Sequence, residues 1–224
     1  MQRFLIFGLN AGLGAMGELA GHERRGSLIW PGRSAIIGLM GAALGIRRDG
    51  DFSALDALDI SVAIFDAGVP LRDYHTVQTV PSAAVKMPNS RPEALRDART
   101  RMNTSITLRD YRAGCMFGVA VTGKELEGIA SALRTPRFTL YLGRKSCPLS
   151  APTGAKTVEA DAPEDALRHL DLPPWRDRAI ARTLVVSDPT GDLVHDVPLD
   201  RQRWHHGERR VAHRAVEIVA GGAA

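Results

Sequence analysis

A chain of 224 residues with 44% apolar and 24% charged side chains can bury one large core or two small ones, which excludes a disordered polypeptide. Arginine dominates the basic set, and a net charge of +4 with a pI of 9.4 favours a polyanionic partner or an acidic neighbouring subunit. Cys115 and Cys147 lie far apart without C-x-x-C spacing, so neither a zinc cage nor a disulfide framework is supported, and the cytoplasm is the expected compartment.

Arg3 to Leu9 predicts a first strand. The wider segment Met1 to Gly21 has the outline of a secretory leader, but Arg3 is a thin basic region and the fold needs this strand. Gly12, Gly14 and Gly17 then match the G-x-G-x-x-G dinucleotide pattern. The following 18–26 segment is polar and glycine-interrupted where that pattern needs a helix, so no nicotinamide, flavin or other cofactor is expected.

The stretch from Glu23 to Arg48 reads as the functional centre. Ser34 is the expected N-cap of a helix running to Ile46, closing on Arg47 and Arg48, whose charge suits the carbonyl end of the dipole. Ile37, Met40 and Leu44 share one face, while Gly38, Gly41, Ala42 and Gly45 leave flat patches for close packing by a sheet. The run is shorter than the roughly 20 residues a bilayer demands. Arg24, Arg25 and Arg33 surround the helix start, where backbone N–H groups favour anions; an RNA or DNA phosphate fits there, and an ordinary solvated loop reads as well.

Asp59 to Asp66 alternates as a second strand, with Ile60, Val62 and Ile64 on one face and Ser61, Ala63 and Phe65 on the other. Cys115 to Val121 alternates as a third. Thr122-Gly-Lys-Glu125 reads as a capping box opening a second helix with the stripe Leu126, Ile129, Ala130 and Leu133. Phe138, Leu140 and Leu142 alternate as a fourth strand ending at Gly143. The order β-α-β, insertion, β-α-β predicts an α+β, ferredoxin-like domain over residues 1–150, the arrangement of RNA-recognition (RRM) domains.

The insertion, about 72–111, is too long for a plain connection and is rich in arginine. RDYHT at its start and TLRDY at its end predict the two legs of a projecting hairpin, with 81–102 mobile until a partner orders it. From Pro148 the composition shifts. A helix over Pro163 to Leu170, a linker near Pro173 and strands at Ala181 to Ser187 and Arg210 to Val219 predict a smaller β-rich unit over 151–224.

Chemistry is sparse. His205, His206 and His213 invite a metal reading, but adjacent histidines without Cys or acidic ligands make a poor cage, and solvated basic surface is the simpler reading. Tyr74, His75 and Lys145 could form an acid/base set for RNA cleavage. Arg144, Lys145 and Ser146 supply two cations and a hydroxyl beyond a strand end, which suits phosphate contact; the apolar Cys147-Pro148-Leu149 could instead tuck this loop under the sheet. Tyr74 and Tyr111 offer rings for stacking bases, worth roughly 1–3 kcal/mol each.

WPGRSAIIGLMGAALGIRR, RDYHTVQ, TLRDYRAGCMFGVAV and YLGRKSCPLSAP, in this order, resemble the fifth Cas protein family in its type I-E CRISPR Cascade form, over about residues 1–152. The resemblance implies a RAMP-superfamily protein whose ferredoxin-like domain carries a hairpin thumb, grips the 5′ handle of crRNA and has no catalytic role. It implies contact with the first backbone subunit and with the large subunit that reads the PAM, hence indirectly with target DNA, and no membrane. It assigns RNA contact to Arg25, Ser27, Arg33, Ser34, Arg47 or Arg48, Tyr74, His75, Thr76, Arg109, Tyr111, Arg144, Lys145 and Ser146. Met16 stands where the family usually has a Trp, and Ile29 replaces an often basic residue. The alternative is a metal-independent endoribonuclease that processes precursor crRNA, as in type I-C systems, through Tyr74, His75 or Lys145.

Overall fold

The computed structural model describes residues 1–18 and 23–221. The N-terminal apolar run is β1 (Gln2–Gly14), and it reads as continuously apolar because both of its faces are buried. Leu5, Phe7 and Leu9 enter one core, Phe4 and Ile6 the other. Gly12 and Gly14 lie inside this strand, so they make no phosphate-binding turn and the dinucleotide pattern has no geometric basis.

Further strands are β2 (Arg24–Arg25), β3 (Asp59–Asp66), β4 (Val69–Thr79), β5 (Asn103–Thr122), β6 (Lys156–Ala160), β7 (Ala179–Asp200) and β8 (His205–Ala220). The helices are α1 (Arg33–Leu44), α2 (Ser53–Asp56), α3 (Arg91–Ala98), α4 (Leu126–Arg134) and α5 (Pro163–Arg168). The result is a mixed α/β, sheet-dominated chain in which β6-β1-β5-β3-β7-β8 run side by side, all paired antiparallel. Residues of α1 and α4 share the core under Leu5, Phe117 and Val62; α5 covers the opposite face through Ala166 and Leu167. The boundary expected near residue 150 falls within this one sheet, because β6 pairs with β1 and β7 with β3.

Four local expectations change. The strand expected over 138–142 is a loop: Arg137 and Phe138 N–H groups donate to the Ala43 and Ala42 carbonyls, so these donors finish α1 and do not enter a ladder. Its alternation still reports burial of Leu140 and Leu142, and β6 takes the fourth-strand position beside β1. The Thr122/Glu125 capping box does not form. Thr122 ends β5, and Glu125 stands at the helix start with φ +58° and no side-chain cap, although the stripe Leu126, Ile129, Ala130 and Leu133 is buried as expected.

The N-cap position of α1 is Gly32 rather than Ser34, and the helix ends at Gly45, whose φ of +79° is the left-handed turn that ends a helix. Of its glycines, Gly41 sits against the Phe52 ring, not a sheet, while Gly38 is exposed with open space around it. The 81–102 segment contains α3, capped by Ser90 accepting from the Glu93 N–H while the Glu93 carboxylate accepts from Asn89 N–H. Ser90-Arg-Pro-Glu93 is itself a capping sequence with proline in the first turn, so the signal was present in the residues.

Candidate nucleic-acid interface

The inserted hairpin grows out of the sheet through β5, whose inner half is buried and whose outer half pairs with β4. Gly114 (φ +71°) on β5, Gly68 (φ +69°) before β4 and a bulge between Ile64 and Asp66 turn the ribbon away from the sheet. Arg112 pins this root, donating to the Ala67 and Gly68 carbonyls at 2.8 and 2.7 Å. The expected legs pair in register: Arg72 opposite Asp110, Asp73 opposite Arg109, Tyr74 opposite Leu108 and His75 opposite Thr107.

Directly opposed residues share a face and neighbours alternate, so the thumb root has two distinct faces. The first carries Asp73, His75, Arg109 and Tyr111, and β2 adds Arg25 opposite Arg109. The second carries Arg72, Tyr74, Thr76, Leu108 and Asp110, with Arg24 opposite Leu108. Tyr74 and His75 therefore point away from each other, which removes them as one acid/base set.

On the first face the Arg144 guanidinium lies 4.8 Å above the Tyr111 ring. Tyr111 is buried beside Ala15 and Cys147, so it holds up Arg144 and is not a platform for a base, correcting the stacking expectation. The loop carrying Arg144, Lys145 and Ser146 is closed by Leu142 N–H donating to Cys147 O at 2.8 Å and is joined to the end of β1 by Ala15 N–H donating to Leu142 O at 3.1 Å. Arg109 Nε and Arg144 Nη1 are buried donors without a partner among the described residues. Buried, charged and unpaired N–H groups are costly, roughly 1–3 kcal/mol or more each. Arg109 could have paired with the opposed Asp73, but that carboxylate lies 3.9 Å from His75 Nδ1. Ser27 is committed elsewhere: its hydroxyl accepts from Met16 N–H and donates to Leu28 O.

On the second face Asp110 accepts from Arg72 Nε and Nη2 at 2.7 and 3.2 Å and from Arg24 Nε and Nη2 at 3.0 and 2.9 Å. Hydrogen bonds from Arg72, then from Arg24, hold its carboxyl down to about 2. A group depressed in the folded state contributes stability above its unfolded value near 3.8, lost as pH falls through 2. The thumb-root pairing should therefore be intact at about pH 4 and half released only near pH 2. A carbon-13 titration of the Asp110 carboxyl should give a midpoint near 2, and a midpoint at the ordinary value would refute the pairing. Arg72 and Asp110 were not singled out in the sequence, yet Arg72-Asp-Tyr74 and Arg109-Asp-Tyr111 are a repeated tripeptide whose antiparallel pairing sets each Arg opposite an Asp.

The remaining expected residues lie elsewhere, and Arg33 and Arg48 engage their own chain. Asp196 on β7 accepts from the Arg33 N–H at 2.7 Å and so occupies the anion position at the start of α1. Arg209 on β8 grips the same carboxylate with Nε and Nη2 at 2.6 and 2.8 Å, and the Arg33 side chain donates to Asp56 O. Burial, then the neighbouring Arg209, push Arg33 below the usual arginine range. Ser34 lies in the first turn of α1 with no capping bond, and Arg47 lies exposed beyond its end. Arg48 stacks 4.0 Å from the Trp204 ring and Arg201 4.0 Å from Phe52, while His213 meets Trp30 edge-on at 4.8 Å. Arg201 and Arg209 thus clasp α2 and the start of α1, while Arg203, His205, His206, Arg210, His213 and Arg214 are exposed, as the solvated-surface reading expects. Both cysteines are buried, and burial pushes Cys115 up to about 11.

The sheet with its long basic hairpin defines the class of Cas proteins: the chain superposes on a solved CRISPR RNA-guided surveillance complex chain with a TM-score of 0.73 at 27% identity, covering 97% of this chain and 91% of that one. A second solved Cas protein gives a TM-score of 0.68 at 26% identity, covering 96% and 95%. The model of the CRISPR-associated protein (Cas_Cas5) family matches residues 4–212, and the chain belongs to that family. It is 34% identical to the CRISPR system Cascade subunit CasD of Escherichia coli (strain K12), covering 75% of this chain and 76% of that one. Among the described residues no helix is long and apolar enough to cross a membrane.

Proposed function

We propose that this protein is a non-catalytic, cytoplasmic subunit of a type I-E Cascade surveillance complex, holding the 5′ handle of crRNA at the foot of the backbone filament. It meets the first backbone subunit and the large PAM-reading subunit, and target DNA only indirectly. The helices between β1 and β3 and between β5 and β6, with strand order β6-β1-β5-β3, support a ferredoxin-like RAMP core whose β4–β5 hairpin is the thumb.

The observation that carries this reading is the pair of buried, unpartnered guanidinium donors on Arg109 and Arg144, at the root of a basic hairpin. A phosphate gives such donors the charge-assisted bonds they lack. Lys145 and Ser146 on the same loop and Arg25 on β2 extend that surface. Arg24, Tyr74 and Thr76 lie across the ribbon, while Arg33 is held within its own chain.

Purified protein mixed with labelled cognate repeat RNA, without metal, should shift the RNA and leave it uncut. Arg109→Ala and Arg144→Ala should each weaken binding about tenfold, because each removes a charged donor to phosphate. A single cut at the handle boundary that His75→Ala or Lys145→Ala abolishes would overturn the non-catalytic reading, and unchanged affinity in both arginine variants would overturn the site.

A further inference from the structure

The second face of the thumb root carries an arrangement that the Arg109/Arg144 site does not use. Asp110 is largely enclosed, its side chain 16% exposed, whereas Arg24, Arg72 and Tyr74 remain 60%, 41% and 68% exposed around it. Both guanidiniums meet the carboxylate through Nε and Nη2, so the Nη1 edge of each is left for another acceptor. Tyr74 is two residues from Arg72 on the same strand face, and Arg24 reaches that face from β2. An exposed ring beside two fixed guanidiniums has the parts of a nucleotide subsite: a stacking surface and a phosphate fork.

We infer that Asp110 is a positioning residue, fixing Arg24 and Arg72 as a paired clamp for one backbone phosphate of single-stranded RNA while the adjoining base stacks on Tyr74. This rests on the handle-binding reading and adds a second subsite to it. Arginine side chains have large rotamer freedom, and fixing two of them before the RNA arrives reduces what binding must order. The carboxylate still leaves the group net cationic, two guanidiniums against one Asp. Its bonds hold it ionised well below neutrality, so the clamp is set under all ordinary conditions.

The sign of one substitution separates this role from its rivals. If Asp110 acted only as a negative charge near RNA, Asp110→Asn would tighten binding. If it only joined β2 to β5, the substitution would lower the melting temperature and leave the salt dependence of binding unchanged. As a positioning residue it should weaken binding of the full-length chain to labelled cognate repeat RNA about fivefold. It should also lower the log–log salt slope by about 0.7, the loss of one phosphate contact to a single strand. In an Arg24→Gln/Arg72→Gln background Asp110→Asn should change nothing further, and Asp110→Glu should restore most of the affinity.

Equal or tighter binding by Asp110→Asn overturns the proposal, as does weaker binding with an unchanged slope or an effect that simply adds to the arginine variants. Should Asp110→Asn not fold, Arg72→Gln and Tyr74→Ala decide the matter, and unchanged affinity in both overturns it. If Arg109→Ala and Arg144→Ala weaken binding while the Asp110 series is flat, the second subsite alone falls. If none of these variants weakens binding, the handle reading falls with it.

Discussion

Asp196→Ala should destabilise the protein by about 3–5 kcal/mol, the range for removing one partner of a buried ion pair. Asp196 is 5% exposed at its side chain and serves three groups: the Arg33 N–H and both Nε and Nη2 of Arg209. Its loss leaves Arg209, itself 17% exposed, without a counter-charge and beside Arg33, and it uncaps the helix on which much of the core is built. For a domain of this size the melting temperature should fall by about 10 °C. Asp196→Leu with Arg209→Met should recover most of that loss, because two apolar groups of similar volume remove both charges together. A fall of under about 2 °C for Asp196→Ala, read by calorimetry, would show that the clasp is decorative. RNA affinity, measured below the melting range, should change little, since Asp196 and Arg209 bond to Arg33, Ser187 and each other and not to Arg109 or Arg144.

The same clasp marks the limit of reading charge from sequence. Arg33 at a helix start is a sound anion signal taken alone, but an acidic residue 163 positions later fills the position. No local pattern announces that. Burial periodicity was more legible: β3, the stripe of α4 and the legs of the thumb are where the alternation and the RDY repeats put them. Where alternation misled, at 138–142, Leu140 and Leu142 are buried as expected, but Phe138 is exposed and the backbone partners are the carbonyl end of α1. Tyr111 shows the same split. The residue sits at the site, but its ring is an internal support because β5 is already entering the core there.

Gly143→Ala should be the most damaging small change in the candidate interface. Gly143 has φ +84°, a conformation costing an L residue roughly 1–2 kcal/mol, and an added Cβ would land on the Ala15 carbonyl oxygen. That carbonyl belongs to the backbone leaving β1 and cannot rotate aside, so the 141–148 loop must move. Its two ties, Ala15 N–H to Leu142 O and Leu142 N–H to Cys147 O, are both within reach of the displacement. Arg144 follows directly and would leave the Tyr111 ring it now covers. We expect a stability loss of about 2–4 kcal/mol. We also expect a fall in repeat-RNA affinity at least as large as the roughly tenfold loss from Arg144→Ala, since Lys145 and Ser146 move with it. Gly38→Ala supplies the contrast. It sits on the exposed face of α1 with open space around it and should stabilise by roughly 0.5–1 kcal/mol while leaving RNA affinity unchanged. If Gly143→Ala kept full affinity, the loop's geometry would be irrelevant to binding, and Arg144 would have to be replaced as the centre of the interface.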